Sequence, residues 1–195
     1  MFISFEGIDG SGKTTQAALL AERLGDRAVA LREPGGAQGS ERIREILVDD
    51  SVPLDPLAEL LLFCSARAQL VAEVIRPAMA EGRDVVCDRF SDSTVAYQGA
   101  ARGLGEERTR EACDLASGGL WPDLTLFLRI DPELAAGRAD GDDRFESEGI
   151  EFQRAVADCY ERIAAAEPGR VKVIDASGDT EQVAEAVASA IEEAR

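Results

Sequence analysis

The run Gly7-Ile8-Asp9-Gly10-Ser11-Gly12-Lys13-Thr14 satisfies G-x-x-x-x-G-K-T directly after the apolar segment Phe2 to Phe5, and it constrains this chain more than any other feature. Glycines let a backbone turn its N–H groups inward around a polyphosphate. A lysine at the end of such a loop reaches the β and γ phosphates, and the hydroxyl after it can hold Mg²⁺. Lys13 and Thr14 are those two residues here, and Gly7, Ile8, Asp9, Gly10, Ser11, Gly12, Lys13, Thr14 and Thr15 together form a candidate cradle for a nucleoside triphosphate. The mechanism needs a strand before the loop and a helix after it. Thr15 to Leu24 supplies the helix, with Leu19, Leu20 and Leu24 on one face.

Apolar runs bounded by turn residues alternate with helical stretches along the rest of the chain, as expected of an α/β fold in which helices flank a parallel sheet. The pattern predicts five strands, at 2–6, 28–32, 84–88, 123–130 and 171–175, and helices at about 13–25, 40–49, 56–81, 106–118, 148–166 and 180–194. Val85 and Val86, and Leu124, Leu126 and Phe127, belong to central strands buried on both faces. Pro56 suits the first turn of the third helix and Gly82 its end, while Pro77 should kink or shorten it. The 195 residues suit one domain without internal repeats, and a chain of this size buries roughly 70% of its unfolded surface. Ligand-binding loops are expected at the carboxyl ends of the strands.

Composition excludes several functions. There is no histidine, which removes Ser-His-Asp and Cys-His hydrolysis and the common histidine-ligated metal sites, and no asparagine, which removes the usual N-K-x-D guanine reader of GTP-binding switches. A formal charge of −17, with Lys13 and Lys172 the only lysines, argues against a nucleic-acid partner. Either a salt-rich cytoplasm or a GC-rich genome accounts for such a balance. No stretch approaches the roughly 18 apolar residues of a membrane span, and no leader is evident, so residence in the cytoplasm is expected. Cys64, Cys87, Cys113 and Cys159 are widely spaced in apolar or helical contexts and read as reduced, mostly buried thiols.

Two further loops carry the acceptor side. Leu31-Arg32-Glu33-Pro34-Gly35-Gly36 ends the second strand, and Asp88-Arg89-Phe90, followed by Ser93-Thr94-Val95-Ala96-Tyr97-Gln98-Gly99, ends the third. With the phosphate loop, in this order and spacing, they resemble the thymidylate kinases over nearly the whole chain. That resemblance implies transfer of the ATP γ-phosphoryl group to dTMP, with Mg²⁺, in dTTP synthesis for DNA replication, by a homodimer formed through helices flanking the sheet.

It also implies residue roles. Arg89 would grip the dTMP phosphate with its planar fork, Asp88 would hold Mg²⁺ through water beside Thr14, and Arg44 would reach the acceptor phosphate. Glu33 and Pro34 would belong to the acceptor pocket. Phe63 and Arg67, four apart on one helix face, would stack on thymine and bond its O4; Thr94 and Gln98 would face the pyrimidine edge, and Tyr97 would fill the space of a ribose 2′-OH. By spacing alone Phe63 reads as core and Arg44 as solvated surface. Asp9 would contact the acceptor's 3′-OH. Gly10 places the chain with the subgroup whose catalytic arginine sits on a mobile lid, at about 137–149 here, where Arg138 and Arg144 are both candidates crowded by Asp140, Asp142 and Asp143. A kinase for another pyrimidine nucleotide, or a nucleotide-binding regulator without chemistry, are the alternative readings.

Overall fold

The computed structural model describes residues 1–138 and 148–194. Five strands, β1 (Phe2–Glu6), β2 (Ala28–Arg32), β3 (Asp84–Asp88), β4 (Leu124–Arg129) and β5 (Val171–Asp175), form one parallel sheet in the order β2-β3-β1-β4-β5. β1 therefore lies at the centre, with Ser4 opposite Cys87 on one side and Thr125 on the other. It is buried along its whole length, and the edge strands β2 and β5 are only partly covered. This gradient explains the sequence pattern: central strands read as unbroken apolar runs because helices cover both of their faces.

Around the sheet stand α1 (Lys13–Leu24), α2 (Gln38–Val48), α3 (Pro56–Leu70), α4 (Arg76–Ala80), α5 (Ser91–Thr94), α6 (Glu106–Ser117), α7 (Pro132–Ala136), α8 (Ile150–Ala166) and α9 (Thr180–Glu193). One core cluster joins Ile3, Phe5, Leu126 and Leu128 to Tyr160, Val183 and Val187; a second joins Phe2, Val85 and Phe90 to Leu70 and Ile75.

Three segments depart from the sequence reading. The third helix is not uniform: α3 passes through a wide π turn at 71–75 before α4. Pro77 follows that turn, and its missing N–H and ring are accommodated by the widened backbone rather than by a break. The segment 91–101, read as loop, is helical, with α5 followed by a second wide turn at 95–101. Finally, α7 was not anticipated, although Asp131 caps it by accepting from the N–H groups of Glu133 and Leu134 and Pro132 occupies its first turn. All four cysteines are buried free thiols. Of the expected lid at 137–149, residues 139–147 lie outside the described residues.

Candidate active site

The carboxyl ends of β1, β3 and β2 and the amino end of α1 meet at a cleft of about 790 Å³. Its walls include Asp9 to Gln16, Glu33, Pro34, Arg44, Phe63, Arg67, Asp88, Arg89, Thr94, Tyr97, Gln98 and Arg138, so the three loops singled out by sequence face one space. Gly7 and Ile8 lie beneath the phosphate loop, where their carbonyls accept from Arg89 Nη1 at 3.3 Å and Lys13 Nζ at 2.6 Å.

Gly10 has φ of 77°, and a Cβ there would lie 2.2 Å from the carbonyl oxygen of Ala135 on α7. No side chain fits at that position while α7 packs on the loop. Lys13 is buried, its ammonium also 3.4 Å from Ser11 Oγ. Burial, with the Arg89 charge nearby, lowers its pKa to about 8 against the opposing pull of Asp9, Asp88 and Glu6. A polyphosphate bound here would bring further negative charge to the ammonium and favour its protonated form.

Thr14 Oγ1 donates to Asp88 Oδ2 at 2.6 Å, while the buried Asp88 Oδ1 has no hydrogen-bond partner among the described residues. This hydroxyl–carboxylate pair, with one acceptor oxygen left over, suits a hard, oxygen-seeking divalent cation. Among the described residues no group of three or more His, Cys, Asp or Glu could hold a metal. The donor set fits Mg²⁺ retaining waters and phosphate oxygens rather than a metal in an all-protein cage.

Arg89 is held at a left-handed φ of 69°, a conformation that costs a non-glycine residue about 1–2 kcal/mol. Hydrogen bonds on both sides fix it: Arg89 N–H donates to Phe5 O at 3.0 Å, and Phe90 N–H donates to Glu6 Oε1 at 2.7 Å. The guanidinium pairs with Asp9, donates to Ser93 Oγ and Tyr97 Oη, and lies 4.8 Å from the Tyr97 ring centre. Asp9 also accepts from Tyr97 Oη at 3.0 Å and Gln153 Nε2 at 3.1 Å. Burial opposes its charge, but Arg89, Lys13 and these donors together hold its pKa below the ordinary carboxylate value. The acidic residue within the phosphate loop is thus tied to the arginine of the neighbouring loop.

Across the cleft, Arg67 is 1% exposed and lies 5.0 Å from the Phe90 ring centre. Its Nε and Nη2 donate to Glu33 Oε2 at 2.9 and 2.6 Å, Nη2 also to Thr94 Oγ1 at 2.9 Å, and Nη1 to Cys113 Sγ at 3.3 Å. Four of its five N–H groups are engaged, leaving one on Nη1. Glu33 therefore enters the site as the buried partner that aims Arg67. Pro34 likewise contributes a carbonyl that accepts from Arg44 Nη1 at 3.0 Å.

Arg138, one of the two lid candidates, lies on the wall of the cleft. Its guanidinium donates to the carbonyls of Ala176 and Ser177, both at 3.0 Å, and so ties the end of α7 to the β5–α9 loop. Arg144 lies outside the described residues.

Sequence reasoning missed three contributors. The β5–α9 segment lines the cleft through Ala176, Gly178, Asp179, Thr180 and Val183 beside Gln16, and nothing in its composition marks it. Gln153 arrives from α8. Glu6 could have been found, since a carboxylate ending an apolar central strand must be paired or functional. It accepts from Phe90 N, Ser93 Oγ and, at 2.9 Å, Tyr160 Oη. Burial, and then the nearby Asp92 carboxylate, push its pKa up to about 8 against the pull of Ser93, Arg89 and the Phe90 N–H.

A folded-state pKa above the unfolded value means that the native protein binds more protons between about pH 4.5 and 8, so this contribution to stability is present at the acid end and lost as pH rises through that window. Glu6→Gln removes the titration. Thermal or urea unfolding is expected to show the variant gaining about 3 kcal/mol on the wild type between pH 5.5 and 8.5. Parallel pH profiles for the two proteins would refute the assignment.

A family model described as thymidylate kinase matches residues 5–187. A thymidylate kinase of Synechococcus sp. strain JA-3-3Ab is 50% identical over 194 residues, covering 98% of this chain and 95% of the relative. One from Pelobacter propionicus is 45% identical over 203 residues, covering 97% and 93%. A crystal structure of thymidylate kinase from Ehrlichia chaffeensis superimposes with a TM-score of 0.83 at 36% identity, covering 98% of each chain. Likeness of this extent, over a chain whose cleft unites the phosphate loop with the Arg89 and Arg67 clusters, shows that it belongs to the thymidylate kinase family.

Proposed function

We propose that this chain transfers the γ-phosphoryl group of ATP to dTMP, giving ADP and dTDP for dTTP synthesis. The observation that carries the reading is the placement of Lys13 and Thr14 opposite Arg89, Asp9 and Tyr97 in one cleft, with Phe63, Arg67, Thr94 and Gln98 on its far wall. The acceptor is a phosphate monoester whose oxygen is already ionised at neutral pH. No general base is required, so the absence of histidine has no cost. The protein's work is alignment and charge neutralisation.

In this reading the backbone N–H groups of residues 10–15 and the Lys13 ammonium hold the ATP phosphates, and Ala176 to Thr180 border the adenosine end. Arg89 and Arg44 hold the dTMP phosphate, Asp9 meets the 3′-OH, and Tyr97 occupies the space beside C2′. Thr14, and Asp88 through water, would hold Mg²⁺, which neutralises phosphate charge when bound. The chain acts as one kinase domain whose lid spans about 137–149, and Arg144, with Arg138 at its base, brings positive charge to the transferring group on closure.

No helix among the described residues is long and apolar enough to cross a membrane, which accords with work in the cytoplasm. Leu57 and Leu61 on α3 and Leu115 on α6 are exposed, as a homodimer interface on flanking helices would require.

ADP release by the purified protein with ATP and Mg²⁺ tests this against dTMP, dUMP, dCMP, UMP, AMP and thymidine. The expected result is a preference of at least about tenfold for dTMP, and complete loss of turnover in EDTA with recovery on adding Mg²⁺. Preference for another acceptor would overturn the pocket assignment. ATP and dTMP binding without turnover would support the regulator reading.

A further inference from the structure

Gln98 is buried on the far wall of the cleft, and its amide has two ends of the same shape and opposite hydrogen-bonding sense. Its Nε2 donates to Glu59 Oε1 at 2.9 Å. Glu59 is itself 1% exposed and lies on α3, four residues before Phe63 and eight before Arg67, so the three share one face of the helix. Arg102 approaches both Glu59 oxygens, at 3.3 and 3.5 Å, and balances the buried negative charge; the same guanidinium pairs with Glu148 at 2.6 Å and lies over the Phe152 ring.

An ionised carboxylate can only accept, so it dictates which end of the amide faces it. The NH₂ must turn to Glu59, and the carbonyl oxygen Oε1 is the end left for a ligand. We infer that Glu59 is a specificity-determining positioning residue: by fixing the Gln98 amide it selects a pyrimidine that carries a proton on N3, thymine or uracil, over cytosine.

This rests on the placement of dTMP in this half of the cleft. There the Oε1 acceptor and the remaining Nε2 hydrogen match the N3–H donor and adjacent carbonyl of thymine. Cytosine presents an N3 lone pair at the same place and would meet Oε1 acceptor to acceptor. A Gln98 free to rotate would accommodate either base. The sequence supplies the pieces as Glu59, Phe63 and Arg67 at helical spacing, but the pairing with Gln98 bridges 39 residues and only the fold shows it.

Glu59→Gln tests the inference, because the new amide can donate or accept and no longer dictates the orientation of Gln98. With ATP and Mg²⁺ constant, kcat/KM is measured for dTMP and dCMP in wild type, E59Q, Gln98→Leu and the double variant. The dTMP to dCMP ratio is expected to fall roughly tenfold in E59Q, through a higher KM for dTMP and a higher kcat/KM for dCMP, with the KM for ATP unmoved. The double variant should lose no more than Q98L alone, since Glu59 acts through Gln98. Glu59→Asp, which remains acceptor-only, should restore most of the ratio, and Glu59→Met is the alternative if E59Q does not fold.

A ratio in E59Q within twofold of wild type, or additive losses in the double variant, would overturn the inference. A wild-type chain that does not prefer dTMP over dCMP would show instead that the underlying reading of the pocket had failed, and the inference with it.

Discussion

Lys13→Ala is expected to lower kcat by about a thousandfold or more while leaving the protein folded. The ammonium is the cation at the heart of the phosphate loop, and Arg89, Arg67 and Arg138 are each engaged elsewhere by Asp9, by Glu33 and by the carbonyls of Ala176 and Ser177. Removing it takes away charge that strengthens its hold as negative charge moves toward the transferring group. Stability should move the other way. Burial lowers the folded-state pKa of Lys13 from 10.5 to about 8, so below pH 8 the native state bears the cost of a buried ammonium and the unfolded state does not. At pH 7 the alanine variant should therefore melt at or above the wild-type temperature. In the wild type, kcat/KM for ATP should decline above about pH 8 as the free enzyme loses this proton. A well-folded variant retaining more than a tenth of wild-type turnover would refute the role given to Lys13.

Arg89→Ala should act on the acceptor side. We expect kcat/KM for dTMP to fall by about a thousandfold, because a planar fork gripping a phosphate dianion is lost, while the affinity for ATP, read by calorimetry without acceptor, changes only a few-fold. Unlike the lysine variant, this one should be less stable. Asp9 is mostly buried and loses its ion-pair partner, and breaking a buried pair from one side costs about 3 kcal/mol. For a chain of this length that corresponds to roughly 6–12 °C in Tm. Equal losses of ATP and dTMP binding would show that Arg89 supports the whole cleft rather than its acceptor half. The opposite stability effects expected of the two variants also separate both from a general failure to fold.

The elements most legible in the sequence were those whose signal is local. The five strands were readable because central parallel strands show continuous apolar runs, and the phosphate loop because its glycines and Lys13 stand at fixed spacing before a helix. The helical segment 91–101 was not readable. Ser91, Asp92, Ser93 and Thr94 are poor helix formers, and Asp92 is instead held by Arg170 at 2.6 and 2.9 Å and by Thr125 at 3.0 Å, partners 78 and 33 residues away. The same distance in sequence hid Gln153 on Asp9 and Glu33 on Arg67, 144 and 34 residues apart. Resemblance supplied the identity of the acceptor pocket; the fold added which residues point its arginines.

The contact between Gly10 and Ala135 bears on how such kinases diversify. With the backbone of α7 only 2.2 Å from where a Cβ would stand, no single codon change at position 10 yields a working loop-borne arginine. The helix must first retreat, and Arg138, anchored to Ala176 and Ser177 just beyond its end, would have to let go as well. A side chain at position 10 should therefore be accommodated only together with a rebuilt α7 and β5–α9 connection.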